Sequence, residues 1–241
     1  MWKLGGLLAL ALVGACASVR APEPGAADAS ASEVLPGWSE VELPGKRHSR
    51  YLAAWEDGHR VVVARADASA SMLRQRLRIE PAELGFVEFS WQVPALIPGA
   101  DLTDVDASDS PVRIVLAFDG DHGRLSARNR MLFDLAHALT GESPPFATLM
   151  YVWDNKAPIE SVIASRRTDR IRKIVLESGG ERCGRWLHYR RDVVADYRRA
   201  FGEDPGMLIG IGLMTDSDNT RAHTEARYGE VRLIAPNERP K

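Results

Sequence analysis

Two stretches of this chain alternate apolar and polar side chains with a period of two, and that alternation constrains the fold more than any other feature. In 73–79, Leu73, Leu77 and Ile79 share one face of an extended chain, while Arg74, Arg76 and Arg78 share the other. In 87–93, Val87, Phe89, Trp91 and Val93 point one way, with Glu88, Ser90 and Gln92 opposite. Period two with one wet face describes antiparallel sheet laid over a core. Further β-branched and aromatic runs extend the series: strands are predicted at 59–66, 71–80, 85–94, 111–118, 147–153, 171–178, 184–190, 207–214 and 225–234. Only two segments read as helices. In 126–142, Ser126 is a candidate N-cap, Met131, Leu132, Leu135 and Leu139 recur at helical spacing, and Gly141 is a stop. In 190–206, Asp192 begins a helix that carries Val193, Val194, Tyr197 and Phe201 along one stripe and ends at Gly202, with Pro205 beyond. So many strands and so few helices exclude a doubly wound fold, which alternates strand and helix throughout. The expected fold is mainly β: an antiparallel β-sandwich with two short helical insertions.

The N-terminal residues read differently. One cation, Lys3, precedes an apolar run from Leu4 to Val13. That run is too short to span a bilayer, which takes about 20 residues, but suits the apolar region of a signal peptide. "VGAC" (13–16) resembles a bacterial lipobox, in which the Cys becomes the lipidated N-terminus. The expectation is therefore a signal peptide over 1–15 and Cys16 carrying palmitate-type acyl chains as a membrane anchor. Ala17 stands where lipoproteins of this kind carry an inner-membrane retention Asp, so the expected location is the outer membrane, facing the periplasm. Residues 16–36, rich in Ala, Pro, Ser and acids, read as a flexible tether. A single domain is expected over 37–236, with a tail at 237–241. The only other cysteine is Cys183, in "GGERCGRW", with no histidine near it in sequence; a tolerated loop thiol is the reading. A formal charge of −2 argues against a nucleic-acid partner, which wants a basic footprint.

Candidate sites are few. "MTDSDNT" (214–220) brings Asp216, Asp218 and Asn219 together after an apolar strand. Counted from Asp216, Arg221 stands where an EF-hand needs Gly and Arg227 where it needs Glu, so no EF-hand is present. An irregular structural Ca²⁺ site is one reading; Asx-type turn chemistry, with no metal and no cofactor, is the other. Asp101, Asp104, Asp106 and Asp109 form a second acidic cluster, either distant ligands or a solvated loop. Trp186, His188 and Arg190 share a strand face on which a sugar ring could stack and hydrogen-bond. Trp153, with Asn155 just beyond it, is a second such candidate, although large aromatics on a sandwich strand also pack the core, as expected for Trp91. Gly210 and Gly212 leave one strand face bare, for a packing neighbour such as the 192–201 helix or for a groove floor. Asp119, Asp121 and His122 cluster in "FDGDHG", and Asp119 with His122 is a candidate acid–base pair. No nucleophile elbow, metalloprotease helix or phosphate loop appears.

Taken together, "YVWDN" (151–155), "IVLESG" (174–179), "RRDVVADYRRAFGEDP" (190–205), "GIGLMTDSDNT" (210–220) and "YGEVRL" (228–233) resemble the bacterial domain-of-unknown-function family 3047. "SWQV" near Trp91 and "SPVRIVLAFDGD" (110–121) add weaker matches. The resemblance implies an exported envelope protein with no established activity. The closing pattern of strand, acidic turn and strand is also similar to jelly-roll carbohydrate-binding modules, a likeness of fold that fixes no function. Three functions are left open: a non-catalytic binding module for an envelope glycan or similar ligand; a glycan-active enzyme using an Asp/His or Asp/Asp pair, which needs only two placed carboxylates; and a structural envelope component with a protein partner.

Overall fold

A computed structural model describes residues 35–56 and 58–238. The signal peptide, Cys16 and most of the tether lie outside these residues. Among the described residues the chain forms thirteen β-strands and two α-helices. One sheet has seven strands in the order β1 (Trp38–Glu42), β4 (Ala70–Ile79), β11 (Leu208–Asp216), β6 (Ser110–Phe118), β7 (Ala147–Asp154), β9 (Ile171–Ser178) and β8 (Val162–Ala164). The other has β10 (Leu187–Asp192), β5 (Phe86–Gln92), β12 (His223–Tyr228), β3 (His59–Asp67) and β2 (Arg50–Glu56), with β13 (Arg232–Ile234) also on β5. The chain crosses between the sheets from β4 to β5 to β6, and again from β9 through β10 and β11 to β12. The result is a jelly-roll-like β-sandwich, as the alternation predicts.

The alternation places the core. Val87, Phe89 and Trp91 point inward from β5, where they meet Ile114 and Leu116 of β6 and Tyr151 and Trp153 of β7, all buried. Phe89 joins the sheets through rings, lying 5.6 Å from Tyr151 of the opposite sheet and 5.3 Å from Tyr189. Burial of this many large apolar side chains, at roughly 1.5–3 kcal/mol each, is the main stabilising term. Three expectations need correction. The sandwich is not wholly antiparallel, because β7 and β9 pair in parallel; β9 enters the sheet between β7 and the short edge strand β8. The 225–234 run is two strands, β12 and β13, broken at Gly229. And β1, β2 and β8 were not legible as strands.

Both helices form where the caps place them. In α1 (Ala127–Thr140) the Ser126 hydroxyl accepts from the Asn129 N–H, and Gly141 closes the helix in a left-handed conformation at φ 73°. In α2 (Val193–Phe201) the Asp192 carboxylate accepts from the Ala195 N–H. The two differ in what they bury. α2 buries Val193, Asp196, Tyr197 and Ala200, whereas α1 buries only Asn129. The bare face at Gly212 is filled by Met72 of β4: a Cβ there would lie 2.5 Å from the Met72 sulfur. Packing is thus the reason for that glycine, but the partner is a strand side chain and not α2.

The two sheets share one continuous core, so residues 35–241 should unfold in one cooperative transition. Gly85 sets the position of β13, since a Cβ on it would meet the Ile234 carbonyl oxygen at 2.4 Å and the Pro236 nitrogen at 2.6 Å, both backbone. Gly85→Ala is expected to lower stability by about 1–3 kcal/mol through this overpacking, measured by urea denaturation.

Candidate functional site

The six-stranded sheet is split. β12 pairs with β3 from His223 to Tyr228, against Asp67 to Val62. At Tyr228 the chain leaves β3 and, after Gly229–Val231, resumes as β13 beside Phe86–Glu88 of β5. The β12 pairing with β3 ends at Val62, while β2 continues to pair with residues 59–61 on the other edge. A cleft of about 1150 Å³ opens at this split. Gln75 and Leu213 of the opposite sheet also line it, so it reaches through the split toward the space between the sheets.

Three tryptophans line the cleft: Trp38 of β1, Trp55 of β2 and Trp186, just before β10. Trp186, His188 and Arg190 lie on the outward face of their strand, because Leu187 and Tyr189 turn into the core. They face Ser90 and Glu88, their register partners' outward side chains on β5. Gly229 brings the chain close here: a Cβ on it would sit 2.2 Å from the Ser90 hydroxyl and 3.7 Å from the Trp186 ring. Trp55 is 68% exposed, with the Arg60 guanidinium 5.4 Å from its ring centroid. His59 adds a further exposed donor. Sequence reasoning found Trp186, His188 and Arg190 but missed Trp38, Trp55, His59 and Arg60. The strands that carry Trp38 and Trp55 were not recognised, and only Gly229 inside a strand-like run marked the split.

Of the three carboxylates that line the cleft, Glu56, Glu88 and Glu230, the first two are held by arginines. Glu88 accepts from Arg190 and Arg232, both at 2.6 Å. Arg232, then Arg190, hold its carboxyl below the ordinary carboxylate value by hydrogen-bonding the charged form. Glu56 accepts from Arg227 at 2.8 Å. The arrangement offers aromatic faces, imidazole and guanidinium donors, and carboxylates fixed as acceptors, which suits the binding of a polyhydroxylated ring.

Other sequence candidates lie elsewhere. Trp153 is fully buried, its indole N–H donating to the Gly179 carbonyl at 2.9 Å, so it is core and has no face for a ligand. Asn155 donates to the Ile97 carbonyl. Asp119 and His122 form an exposed pair at 3.7 Å in the loop before α1, outside the cleft lining. Cys183 is half-buried, and burial pushes its thiol up from the ordinary value, away from thiolate reactivity.

The acidic turn sits at a different level of the sandwich. Asp216 pairs with Ala70 on β4 and the cleft residue Gln75 is five positions along, roughly 16 Å at strand rise. Asp109, Asp216 and Asp218 bring carboxylate oxygens within 4.8 Å of one another, a spacing that could hold a cation. The protein supplies the counter-charge itself. Arg113 grips buried Asp216 with both Nε (3.0 Å) and Nη2 (2.8 Å), and the Ser110 N–H donates to the same carboxylate. Lys46 pairs with Asp218. Asp109 accepts from the Asn219 N–H, the Thr220 N–H and the Thr220 hydroxyl. Asn219 donates to the Val105 carbonyl. The turn is thereby clamped to the 101–110 loop, whose own acids also have structural work: Asp101 accepts from Lys156 and Thr103 and is held down to about 2, chiefly by Lys156.

Beside this network Lys173 is buried, its ammonium 2.7 Å from the Ser108 hydroxyl. Burial, with help from Arg113, pulls it down to about 7. Its folded pKa is thus below its unfolded one, so between pH 7 and roughly 10 the unfolded chain binds more protons at this residue, and stability should rise with pH. Lys173→Met is expected to flatten that rise in urea denaturation curves taken across the window. Asp216→Ala, which strands the Arg113 charge, should cost about 3–5 kcal/mol. Calcium or a chelator should leave the melting temperature of the unaltered protein unchanged; a calcium shift lost in Asp216→Asn and Asp218→Asn would make the turn a metal site.

The fold resembles the xyloglucanase domain of NopAA, a type three effector from Sinorhizobium fredii in complex with cellobiose, at 7% identity and a TM-score of 0.45, over 83% of this chain and 94% of that one. It also resembles CBM28, a non-crystalline cellulose specific carbohydrate-binding module, at 12% identity and a TM-score of 0.36, over 82% of this chain and 88% of that one. At such scores neither likeness says anything about a ligand of this chain. No curated protein matches the sequence. The model of a family of proteins of unknown function, DUF3047, matches residues 36–232, and the chain belongs to that family.

Proposed function

We propose that this protein is a non-catalytic, ligand-binding β-sandwich of the cell envelope, and that it holds a glycan in the cleft at the split sheet. The observation that carries the reading is the cleft itself, where Trp55 and Trp186 present aromatic surface beside His59, His188 and Arg190. The 68% exposed indole of Trp55 and the indole of Trp186 offer faces on which the C–H face of a sugar ring can stack. The cellular part of the reading comes from the sequence alone: export by the 1–15 signal, and anchoring to the outer membrane, facing the periplasm, through lipid on Cys16.

A glycosidase is less well supported. Its general acid needs a raised pKa, and Glu88 in this cleft is shifted the other way by Arg232 and Arg190. The Asp119–His122 pair is solvent-exposed and lies outside the lining of the cleft. Asp216 is committed to Arg113.

Thermal shift of residues 35–241 against a panel of envelope and plant oligosaccharides tests the reading. A ligand at a hundred times its Kd adds about 2.7 kcal/mol, several degrees in melting temperature for a domain of this size. Trp186→Ala and Trp55→Ala should each weaken binding at least about tenfold, or 1.4 kcal/mol, while Asp119→Asn leaves it unchanged. The absence of a shift with every glycan would sink the proposal. Turnover abolished by Glu56→Gln would replace it with an enzyme.

A further inference from the structure

Helix α1 is the anomaly of this fold. Of its fourteen residues only Asn129 is buried, while Met131, Leu135 and Leu139 are 64%, 55% and 67% exposed. At 100° per residue these three fall on one side, together with Ala138. The inner side of the helix is held by Phe133, which packs against the core, with Leu132 and Ala136 half-buried beside it. Most globular helices bury their apolar residues; this one leaves the stripe of Met131, Leu135 and Leu139 toward solvent and adds polar tethers at its ends. Asn129 bonds Thr168 and Asp169, and Glu142, just past the C-terminus, bonds Arg74 and Arg76.

The N-terminal end of the stripe is cationic, although Asp134 is exposed on the same helix beside Met131 and Arg124 is paired with Glu203. At the N-terminal end of α1 a second, smaller cleft of about 330 Å³ is lined by Arg128, Arg166 and Arg172 against one acid, Asp169, which is already bonded to Asn129. Arg124, Arg130 and Arg167 lie close by in sequence and are exposed. Apolar side chains flanked by arginines match one kind of surface, a bilayer whose acyl region meets the stripe while its phosphates meet the guanidinium groups.

We infer that α1 is a membrane-docking helix, laying Met131, Leu135 and Leu139 into an anionic lipid surface with Arg128 and Arg166 on the headgroup phosphates. A second copy of the chain fits less well, since the stripe is only three exposed side chains, whereas a stable interface takes roughly 800 Å² per partner. The inference is independent of the glycan reading. It does not need a lipid on Cys16, which would only raise the local concentration of this face at the bilayer.

Flotation of unlipidated residues 35–241 with vesicles tests it. Binding should be at least about tenfold greater on phosphatidylcholine vesicles containing phosphatidylglycerol than on phosphatidylcholine alone, and should weaken as salt rises. The double variant Leu135→Asp/Leu139→Asp should lose binding with its melting temperature and glycan binding intact. Arg128→Ala/Arg166→Ala, which leaves the stripe in place, should lose the preference for anionic vesicles. Failure to bind anionic vesicles, or binding that survives both variants, overturns the inference. So does a dimer in sedimentation that Leu135→Asp/Leu139→Asp dissociates, which would assign the stripe to a second copy.

Discussion

A β-strand has two edges, and each can hydrogen-bond only one neighbour at a given level. The site in this protein follows from how β12 uses them. Up to Tyr228 its chain lies between β3 and β5; beyond Gly229 it serves β5 alone, as β13. The β12 pairing stops at Val62, before the start of β3, and among the described residues the sheet parts there. Everything proposed for the cleft depends on that parting: the outward position of Trp55, the approach of Gly229 to Trp186, and the reach to Leu213 of the other sheet. Gly85 keeps the gap open by letting β13 and the chain after it lie against the start of β5.

A second constraint holds the opposite level of the sandwich shut. The Arg113–Asp216 pair is nearly inaccessible to water. Such a pair is weak evidence for stability and strong evidence for a fixed arrangement, since either charge alone would be costly. With Lys46, Asp109 and Thr220 it locks the acidic turn to the loop before β6. The two levels therefore differ: one is tied by a network of internal hydrogen bonds and ion pairs and the other presents exposed aromatic surface. The clustered acids of the turn accept from arginine, lysine and backbone N–H groups.

Much of the fold was legible because local rules and burial agree. The alternation in β4 and β5 named their inner faces residue by residue, and Ser126, Asp192, Gly141 and Gly202 bounded both helices. The outer face of β10 was legible too, since Leu187 and Tyr189 had to turn inward. What was not legible is non-local. "EARYGEVRLI" reads as one strand by pattern, and only pairing with β3 and then β5 divides it. "WSEVE" and "RYLAAWE" are too short or too rich in alanine to stand out, so Trp38 and Trp55 were passed over. Trp153 alternates just as a ligand-facing residue would; the side of its sheet that is covered is decided by β5, far away in sequence. The apolar spacing of α1 signals a helix without saying which way it faces.

The central claim is that ligand enters where the sheet parts. Backbone NMR of residues 35–241 titrated with a bound oligosaccharide tests it most directly. The expected result is shifts confined to 55–61, 186–190 and 228–232, with Asp216 to Thr220 undisturbed. Shifts centred on the acidic turn, or on the loop holding Asp119 and His122, would contradict it.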